Sequence, residues 1–428
     1  MGTDRVWPIL LFLLIGPGTP GCQPDPDPVD RGLNDLPLST TRDSAGIEIV
    51  ESVRAAWDGD GWRVAREPTV TIGHTSGDER YLFGEVVGAV VLRDGRIAVA
   101  DRQAYLIRVY SPEGVYIEDW GGRGEGPGEF SGGLRKLLPY RGDSILVKQF
   151  ASSGSNIYDD RGRFGRAAAP EMWLLFMHDR PSLGFDPSAS SAGTCCTLWG
   201  PLPNGALLGS YSDMVSMAGS GTRRGSVMAA IVPAAGGAPE PVGLFNGGQY
   251  RVDSEGHLRE LQFQVRFSMT VGPDGYFATE GDAYSIEAYD ADGSLRRIIR
   301  LARGPSPVTD EVKADHEARL RAQSSPEDDE WLRRQLTVPY PSHLPAFDWL
   351  HADPEGNVWA RQQRFGTEDG ISGATTYEFF VFGADGRHLG VIELPGSLEV
   401  YQIGTDFLLG KVSDELGVDR VHLYRIEK

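Results

Sequence analysis

The chain has little lysine, little cysteine and no long apolar run, and each shortage excludes a class of protein. Of its 41 basic residues only 5 are lysine, and its 60 acidic residues give a formal net charge of -19. A nucleic-acid backbone or an anionic lipid surface is bound by clustered Lys and Arg, and no basic run occurs here. We therefore expect no nucleic acid among its partners.

Cysteine is scarce as well, with 3 in 428 residues, and no Cys or His has the spacing of a zinc site. Cys195 and Cys196 are adjacent. In an exported protein they form either a strained, reactive disulfide or two small apolar residues on opposite faces of a strand. The glycine-rich stretch at 121–128 lacks the spacing of a dinucleotide-binding loop, and Asp290–Gly293 lacks the later ligands of a calcium loop. No cofactor is predicted.

No apolar run is long enough to span a bilayer. The run Ile9–Ile15 is short and leads into small residues that end at Gly21, which predicts a removable export signal over residues 1–21. Cys22 is then the candidate lipid anchor of an outer-membrane or cell-envelope lipoprotein. The alternatives are a plainly secreted or periplasmic protein and a cysteine without a role. The Pro- and Asp-rich residues 22–45 are predicted to be a flexible tether.

Glycine is what the chain has in excess: it has 55, nearly double the usual share of about 7%. Many of them fall in a recurring unit of four apolar strands joined by two glycine turns. Asp-Gly and Pro-x-Gly between alternating apolar runs are hairpin turns, because glycine adopts the positive φ that they need. The first unit is Val86–Leu92, the turn Arg93–Gly95, Arg96–Asp101, Leu106–Tyr110, the turn Ser111–Gly114, and Val115–Trp120.

The same unit returns four more times and then once in part. Its paired turns are Arg141–Asp143 with Asp160–Gly162, Pro203–Gly205 with Ala235–Gly237, Pro273–Gly275 with Asp290–Gly293, and Asp353–Gly356 with Ala384–Gly386. The last copy, from Leu398 to Ile426, is one strand short, and one of the N-terminal strands Gly46–Val53 and Trp62–Gly73 is expected to complete it.

Five full units and one shared unit predict an all-β fold, a six-bladed β-propeller of four-stranded blades closed by an N-terminal strand. The propeller is expected to be a single domain over residues 46–428. Two unrelated β-sandwiches would not account for paired glycine turns in every unit. Residues 309–336 interrupt the pattern and are predicted to be a small helical insertion. Thr309 and Ser325 are the expected N-caps of its two helices.

The repeat resembles an NHL-type repeat, and the segment Trp120–Phe130 is similar to the glycine-rich linker of that family. With Asp43–Val50, Leu344–Phe347 and Gly356–Trp359, the chain from Asp43 onward resembles bacterial exported six-bladed propellers of the NHL/TolB-like class. The resemblance implies the propeller fold and export. It implies almost nothing about activity.

The expected long connections all leave the same face of the propeller. Loops between the second and third strands of a blade, and connections between blades, share one face, which we call the long-loop face. The two tight turns of each blade share the other, the tight-turn face. The predicted insertions on the long-loop face are Ala169–Thr194, Ser212–Gly225, Phe245–Gln262, Ala302–Pro345 and Gln362–Thr375. Because loops on a rigid scaffold carry function, this face is the expected binding face.

The candidate ligand-contacting residues on that face are those in the glycine-rich linker, the cysteine pair and the two strand-connecting loops: Arg123, Glu125, Phe130, Cys195, Cys196, Met214, Met217, Arg223, Arg224 and Arg364. The loop 212–225 is either an adaptable ligand contact or a mobile loop. The charges of the helical insertion indicate either a solvated face or a lid over the central channel.

Two functions remain. The first is a binding or scaffold module that recognises a peptide, glycan or small molecule and works as a monomer. The second is a lactonase- or lyase-like enzyme with a divalent metal such as calcium in the central channel. The predicted inner strands contain only Asp348 and Glu399 as acidic residues. A metal site needs several oxygen ligands, so the binding module is favoured.

Overall fold

The structure is a computed structural model that describes residues 37–57, 59–150, 154–168, 189–191, 197–216, 219–324, 329–362 and 376–428. The first strands in chain order are β1 (Ser39–Ser44), β2 (Ile47–Ser52), β3 (Arg63–Val64), β4 (Val70–Ile72), β5 (Val86–Val91), β6 (Ile97–Asp101), β7 (Leu106–Tyr110), β8 (Tyr116–Gly121), β9 (Leu134–Pro139), β10 (Ile145–Gln149), β11 (Ser155–Tyr158), β12 (Phe164–Ala168), β13 (Ala189–Ser191) and β14 (Thr197–Pro201).

The remaining strands are β15 (Leu207–Ser216), β16 (Gly221–Val232), β17 (Glu240–Val252), β18 (Leu258–Glu260), β19 (Ser268–Val271), β20 (Gly275–Thr279), β21 (Ser285–Asp290), β22 (Leu295–Leu301), β23 (Trp349–Ala352), β24 (Val358–Gln362), β25 (Thr376–Phe382), β26 (His388–Pro395), β27 (Leu398–Ile403), β28 (Phe407–Ser413) and β29 (Asp419–Glu427). The helices are α1 (Asp310–Gln323) and α2 (Asp329–Leu336). Among the described residues, no helix combines the length and apolar character that crossing a membrane requires.

The described strands form six sheets, and each contains four strands in antiparallel succession. These blades, numbered 1 to 6, are β5–β8, β9–β12, β14–β17, β19–β22, β23–β26, and β27–β29 with β4. The inner strands touch in the order β5, β9, β14, β19, β23, β27, and β27 touches β5 again. This closed ring of sheets confirms the predicted β-propeller.

The tight turns form where glycine permits them. In blade 1, Gly95 and Gly114 have φ values of 87° and 84°, the left-handed region that favours glycine. Each turn closes with a backbone hydrogen bond, from Gly95 N to Leu92 O at 2.9 Å and from Gly114 N to Ser111 O at 2.9 Å. The hairpins are therefore specified locally, by a few residues of sequence.

The ring closes through an N-terminal strand, as predicted. Strand β4, within the expected segment Trp62–Gly73, pairs antiparallel with β29, with Ile72 opposite Val421. Ile72 is fully buried, so the closing strand adds to the core between blades 6 and 1. The other candidate segment has a different place: β2 pairs in parallel with β22 at the outer edge of blade 4.

The predicted tether, 22–45, extends too far toward the C-terminus, because its last residues form a strand. Strand β1 pairs antiparallel with β2 along its whole length, so Ser39–Ser44 belong to a hairpin on blade 4. Five of the six residues of β1 are exposed, which leaves the polar segment without the apolar alternation that marks a strand in the sequence. The signal 1–21 and the tether up to residue 36 lie outside the described residues.

Two predicted loops are mostly strand. The range 212–225 contains the end of β15 and the start of β16, and most of 245–262 is taken by the end of β17 and by β18. These strands extend blade 3 beyond its apolar core. Because the extension is rich in Ser, Gly and Arg, its sequence looks like a loop although its backbone pairs as a hairpin.

The helical insertion is present where it was predicted. Thr309 caps α1, with its hydroxyl accepting from Val312 N at 3.3 Å, and α2 ends at Leu336; residues 325–328 lie outside the described ranges. The insertion rests on the blade 3–4 connection, where His316 of α1 packs on Phe263 at 4.7 Å between ring centroids.

Candidate functional site

Two lysines lie side by side in blade 2. Strands β9 and β10 pair symmetrically about the turn Arg141–Asp143, and this register places Lys136 directly opposite Lys148. Opposite residues of an antiparallel pair point to the same face of the sheet, with Cβ atoms about 5 Å apart. Leu138 and Leu146, the next pair on that face, pack into the core between blades 2 and 3. Both lysine side chains therefore face blade 3.

The two ammonium groups have no carboxylate partner within the described ranges. Lys148 is 7% exposed, and its Nζ makes no hydrogen bond to any described residue. Lys136 Nζ donates to the carbonyl oxygens of Leu198 and Trp199, at 3.3 and 3.4 Å. The Lys136 ammonium group is therefore bound by carbonyl oxygens of the inner strand of blade 3, whereas the Lys148 ammonium group has no hydrogen-bond partner among the described residues.

Burial weakens the hold of both lysines on their protons. It lowers the pKa of Lys136 to about 8, and burial together with the nearby Arg135 guanidinium lowers the pKa of Lys148. Removing water disfavours the charged form of an amine, and a neighbouring cation adds to that effect. With a pKa of about 8, Lys136 is still mostly protonated at pH 7, and no described carboxylate pairs with either lysine.

A basic and aromatic rim lies next to this pair on the long-loop face. Phe150 is 40% exposed, and the guanidinium groups of Arg102 and Arg135 lie 5.1 and 5.0 Å from its ring centroid. Arg102 is fixed by Leu134 O at 2.9 Å and Glu85 Oε1 at 2.5 Å. Arg135 is exposed and has no carboxylate partner among the described residues, so its guanidinium edge is open to a ligand.

Aromatic side chains from blades 3 and 5 meet close to Lys136. The rings of Trp199 and Trp349 are 6.3 Å apart between centroids, and Trp349 Nε1 donates to His351 Nε2 at 2.9 Å. Burial, with the cations Lys136 and Arg361, lowers the pKa of His351 to about 3. The imidazole is therefore neutral at physiological pH and adds a polar group without charge.

The acidic residues expected on the inner strands are already paired. Asp348 accepts two hydrogen bonds from Arg361, at 2.8 and 2.9 Å, and Glu399 lies 3.1 Å from Lys411 Nζ. In the part of the chain that the structure describes, no three His, Cys, Asp or Glu side chains form a group that could hold a metal ion. Each of these two carboxylates pairs with a cation of its own blade, Asp348 in blade 5 and Glu399 in blade 6.

The linker residues predicted for the ligand face have different surroundings. Arg123 is exposed and its guanidinium lies 5.1 Å from the ring centroid of Tyr105, and Glu125 is exposed as well. Phe130, by contrast, is fully buried in the core between blades 1 and 2. Its prediction as a ligand contact was wrong, because the linker folds back and inserts the ring between the two blades.

The arginines of the predicted loop 212–225 lie on β16. Arg224 spans to blade 4, with Nη1 2.6 Å from Asp282 Oδ2 and Nη2 donating to Glu280 O at 3.0 Å. Arg223 Nη2 donates to Gly219 O at 3.2 Å. Met214 lies on β15 with its backbone opposite Ser226. Arg224 thus bridges blades 3 and 4. The predicted ligand contacts of Met214, Arg223 and Arg224 stay a prediction.

The remaining predicted site residues lie outside the described ranges, namely Cys22, Cys195, Cys196, Met217 and Arg364.

The sequence reading missed the lysine pair, although its signal was present. Lys136 and Lys148 are equally spaced from the predicted turn Arg141–Asp143, and a symmetric hairpin places such residues opposite each other. They are also two of only 5 lysines in the chain. Trp199 and Trp349 were harder to find, because their proximity depends on the closure of the ring.

A wide, open depression lies on the tight-turn face. It has a volume of about 740 Å³ and is lined by Tyr140, Arg141, Gly142, Arg166, Ala234 and Ala235. It is a shallow, open surface between the turns of blades 2 and 3. No buried titratable side chain borders it, so we place the candidate site at the lysine pair and its aromatic rim.

No protein-family model and no curated protein matches the chain. Among solved structures, similarity extends to a Bacteroides fragilis protein described as exported, at 12% identity over 89% of this chain and 100% of that one, with a TM-score of 0.42. A DUF4221 family member from Bacteroides vulgatus has 11% identity over 86% and 99%, with a TM-score of 0.45.

Virginiamycin B lyase from Staphylococcus aureus is also similar, at 11% identity over 86% of this chain and 100% of that one, with a TM-score of 0.37. At such identities and TM-scores below 0.5, these similarities assign no activity to the chain. The propeller is established by the sheets and their closure described above.

Proposed function

We propose that the chain is a binding module whose long-loop face, at the mouth of the central channel, captures a peptide, a glycan or a small molecule. One observation carries this proposal: the exposed aromatic rings of Phe150 and Trp349, 40% and 39% exposed, lie on a face that also presents unpaired cations. Exposed aromatic side chains beside guanidinium groups are typical of recognition surfaces, which combine large apolar contact with directed polar groups.

The scaffold supports this role. Arg135 and Trp349 lie on inner strands, next to the buried side chains of Leu134 and Leu350. These anchored strands hold the surface in place before a ligand binds. Preorganised sites lose less conformational entropy on binding.

The test compares two single substitutions of exposed apolar residues. The full chain is screened for binding against peptides, glycans and small acids, and Trp349→Ala is expected to weaken the affinity for any ligand found by at least about tenfold. Val115→Ala is the matched control, because Val115 is 60% exposed but lies at a turn of the tight-turn face. Equal affinities of the two variants and the wild type would place binding elsewhere.

Calcium alone is the probe for the metal-dependent lactonase- or lyase-like alternative. A calcium-dependent rise in the melting temperature, together with lactone hydrolysis by the full chain, would replace the binding module with that enzyme. Light scattering of the same sample tests the monomer, which is part of the proposal.

We further propose that the blades are NHL-type repeats of an exported protein and that Cys22 carries a lipid anchoring it to the outer membrane or cell envelope. The support lies in the glycine-rich linker 120–130 and in Gly21–Cys22 after a short apolar run. Replacing Cys22 by Ser is expected to release the protein into the soluble fraction. Unchanged membrane retention would refute the anchor.

A further inference from the structure

The Lys136–Lys148 pair has a strongly unfavourable arrangement that the fold itself does not explain. Like charges directly opposite each other in an antiparallel pair destabilise the sheet. Lys148 in addition is 7% exposed as a residue, and its Nζ has no acceptor among the described residues, so the loss of water around the side chain is not offset there by a hydrogen bond. Apolar residues at both positions would continue the core of Leu138 and Leu146 without these penalties.

Among the described residues, the surroundings of the pair contain other cations but no carboxylate paired with either lysine. Arg135, the residue before Lys136, is exposed and close enough to lower the pKa of Lys148. The nearest described carboxylate on this rim, Glu85, is engaged with Arg102 at 2.5 Å. In a chain with a formal net charge of -19, a local excess of cations that the chain does not neutralise is suited to receive an anion from outside.

We propose that Lys136 and Lys148, with Arg135 at the rim, form a binding site for the oxyanion group of a small ligand, a carboxylate or a phosphate. This site rests on the proposed binding function and names its ligand chemistry. The two ammonium groups offer hydrogen-bond donors only, and the Arg135 guanidinium presents a planar edge that matches two oxygens of one anionic group.

The neighbouring aromatic rings define the rest of the ligand. Trp199, whose carbonyl oxygen accepts from Lys136 at 3.4 Å, places its ring 6.3 Å from that of Trp349. Lys136 is close enough to His351 to lower the pKa of the imidazole, and His351 accepts a hydrogen bond from Trp349. The exposed indole of Trp349 is therefore the apolar surface beside an oxyanion held at Lys136. A small anion with an apolar or ring-shaped body fits this combination better than a free inorganic ion does.

The experiment measures anion binding to the full chain by calorimetry in a phosphate-free buffer at pH 7. Inorganic phosphate is the probe for a phosphate group, and benzoate and succinate are the probes for a carboxylate. Binding of any of the three is expected, and the tightest one identifies the source of the oxyanion. No heat with all three probes at millimolar concentration overturns the site.

Variants then locate the site. Lys148→Met is expected to weaken the affinity at least tenfold while the melting temperature stays unchanged or rises, since a buried charge is removed. Lys313→Met, in the exposed helix α1, is the matched control and should bind as the wild type does. If Lys148→Met fails to fold, Arg135→Gln tests the exposed part of the same site and should weaken binding about fivefold. Wild-type affinity in the folded lysine variant, or in Arg135→Gln, overturns the assignment.

Failure of this site and failure of the binding module give different results. If Trp349→Ala weakens the capture of a ligand but Lys148→Met does not, the binding module stands and the oxyanion site falls. If neither substitution has an effect, both fall.

Discussion

Blades 2 and 6 carry the same kind of cross-strand pair with opposite consequences. In blade 6, Glu399 of β27 lies directly opposite Lys411 of β28, and the two form an ion pair at 3.1 Å. In blade 2, the equivalent pair of inner strands places Lys136 opposite Lys148. The backbone arrangement is shared, so the difference comes from the side chains alone. The Glu399–Lys411 pair is neutralised within the protein, whereas the Lys136–Lys148 pair is the one that we propose to bind an anion from outside.

Blade 1 extends the comparison to a deeply buried cation. Arg108 is 9% exposed, nearly as buried as Lys148 at 7%, but its Nη1 lies 2.9 Å from Asp101 Oδ2. Asp101 also accepts from the backbone amides of Gly84 and Glu85. Where the fold needs a buried cation for its own stability, it supplies a carboxylate. Lys148, by contrast, forms no ion pair with a described carboxylate.

The largest expected effect is that of removing the carboxylate in blade 1. Asp101→Ala would leave Arg108 buried without a carboxylate, with Leu82 O as its remaining acceptor, and the free energy of unfolding should fall by about 3–5 kcal/mol. Urea denaturation at pH 7 measures it. Asp94→Ala, which removes an exposed partner of Arg96 on the tight-turn face, is the control and should cost at most about 1 kcal/mol. A loss below about 1 kcal/mol for Asp101→Ala would mean that unpaired buried cations are tolerated here.

The second prediction converts blade 2 to the pattern of blade 6. Lys136→Glu places a carboxylate opposite Lys148, so the oxyanion affinity should fall by about 100-fold or more while the unfolding free energy rises by about 1 kcal/mol. Calorimetry and urea denaturation give the two values. Lys136→Arg keeps the charge and should bind within about fivefold of the wild type. Retained affinity in the glutamate variant would contradict the comparison.

The third prediction concerns pH. The folded state lowers the pKa of Lys136 from 10.5 to about 8, so the unfolded chain binds this proton more tightly. The resulting loss of stability is complete below pH 8 and disappears as pH rises from 8 to 10.5. Lys136→Met should therefore be more stable than the wild type by roughly 1–3 kcal/mol at pH 7, and equally stable near pH 10.5.

Paired denaturation curves at pH 7 and pH 10 measure that difference. The charged and titratable groups near Lys136 are Lys148, Arg135 and His351, and the imidazole stays neutral over this range because its pKa is about 3. A stability difference that does not change with pH would mean that Lys136 is not held in a desolvated site.

The smallest expected effect is that of removing the carboxylate from the exposed Glu399–Lys411 ion pair of blade 6. Glu399 is 58% exposed, and Lys411 also lies 3.7 Å from Asp419, so Glu399→Gln removes one of two partners. The unfolding free energy should fall by about 0.5 kcal/mol. Thermal melting at low and at high salt measures it. A loss above about 2 kcal/mol would mean that this exposed ion pair stabilises the fold more than a solvent-screened pair should.

Local sequence was sufficient for the blades and for their closure. Paired glycine turns, such as those at Gly95 and Gly114, limit each hairpin to a few residues. The missing strand of the last unit predicted closure by one of two N-terminal segments, and the structure selects the one that contains β4. Strands without apolar alternation escaped prediction. The exposed edge strand β1 and the extension of β15 and β16 beyond the core are paired through their backbones, and backbone pairing leaves little trace in the side-chain pattern.

The candidate site was less accessible to sequence reasoning. Of the linker residues predicted for the ligand face, Arg123 and Glu125 are exposed, and Phe130 is buried. The residues that carry the proposal lie on inner strands, where apolar side chains are the rule. Lys136 and Lys148 interrupt that rule, and their register about the turn at residue 142 was readable in the sequence.

The sequence by itself determined the hairpins, the repeat and the opposition of Lys136 to Lys148, because each of these depends on interactions between residues close along the chain. Only the tertiary structure decided that Lys136 donates to carbonyl groups of blade 3, close to Trp349 and with no carboxylate partner among the described residues. Those neighbours come from blades up to about 200 residues away along the chain, and ring closure alone brings them together. Two of the 5 lysines in the chain thus lie opposite each other in blade 2.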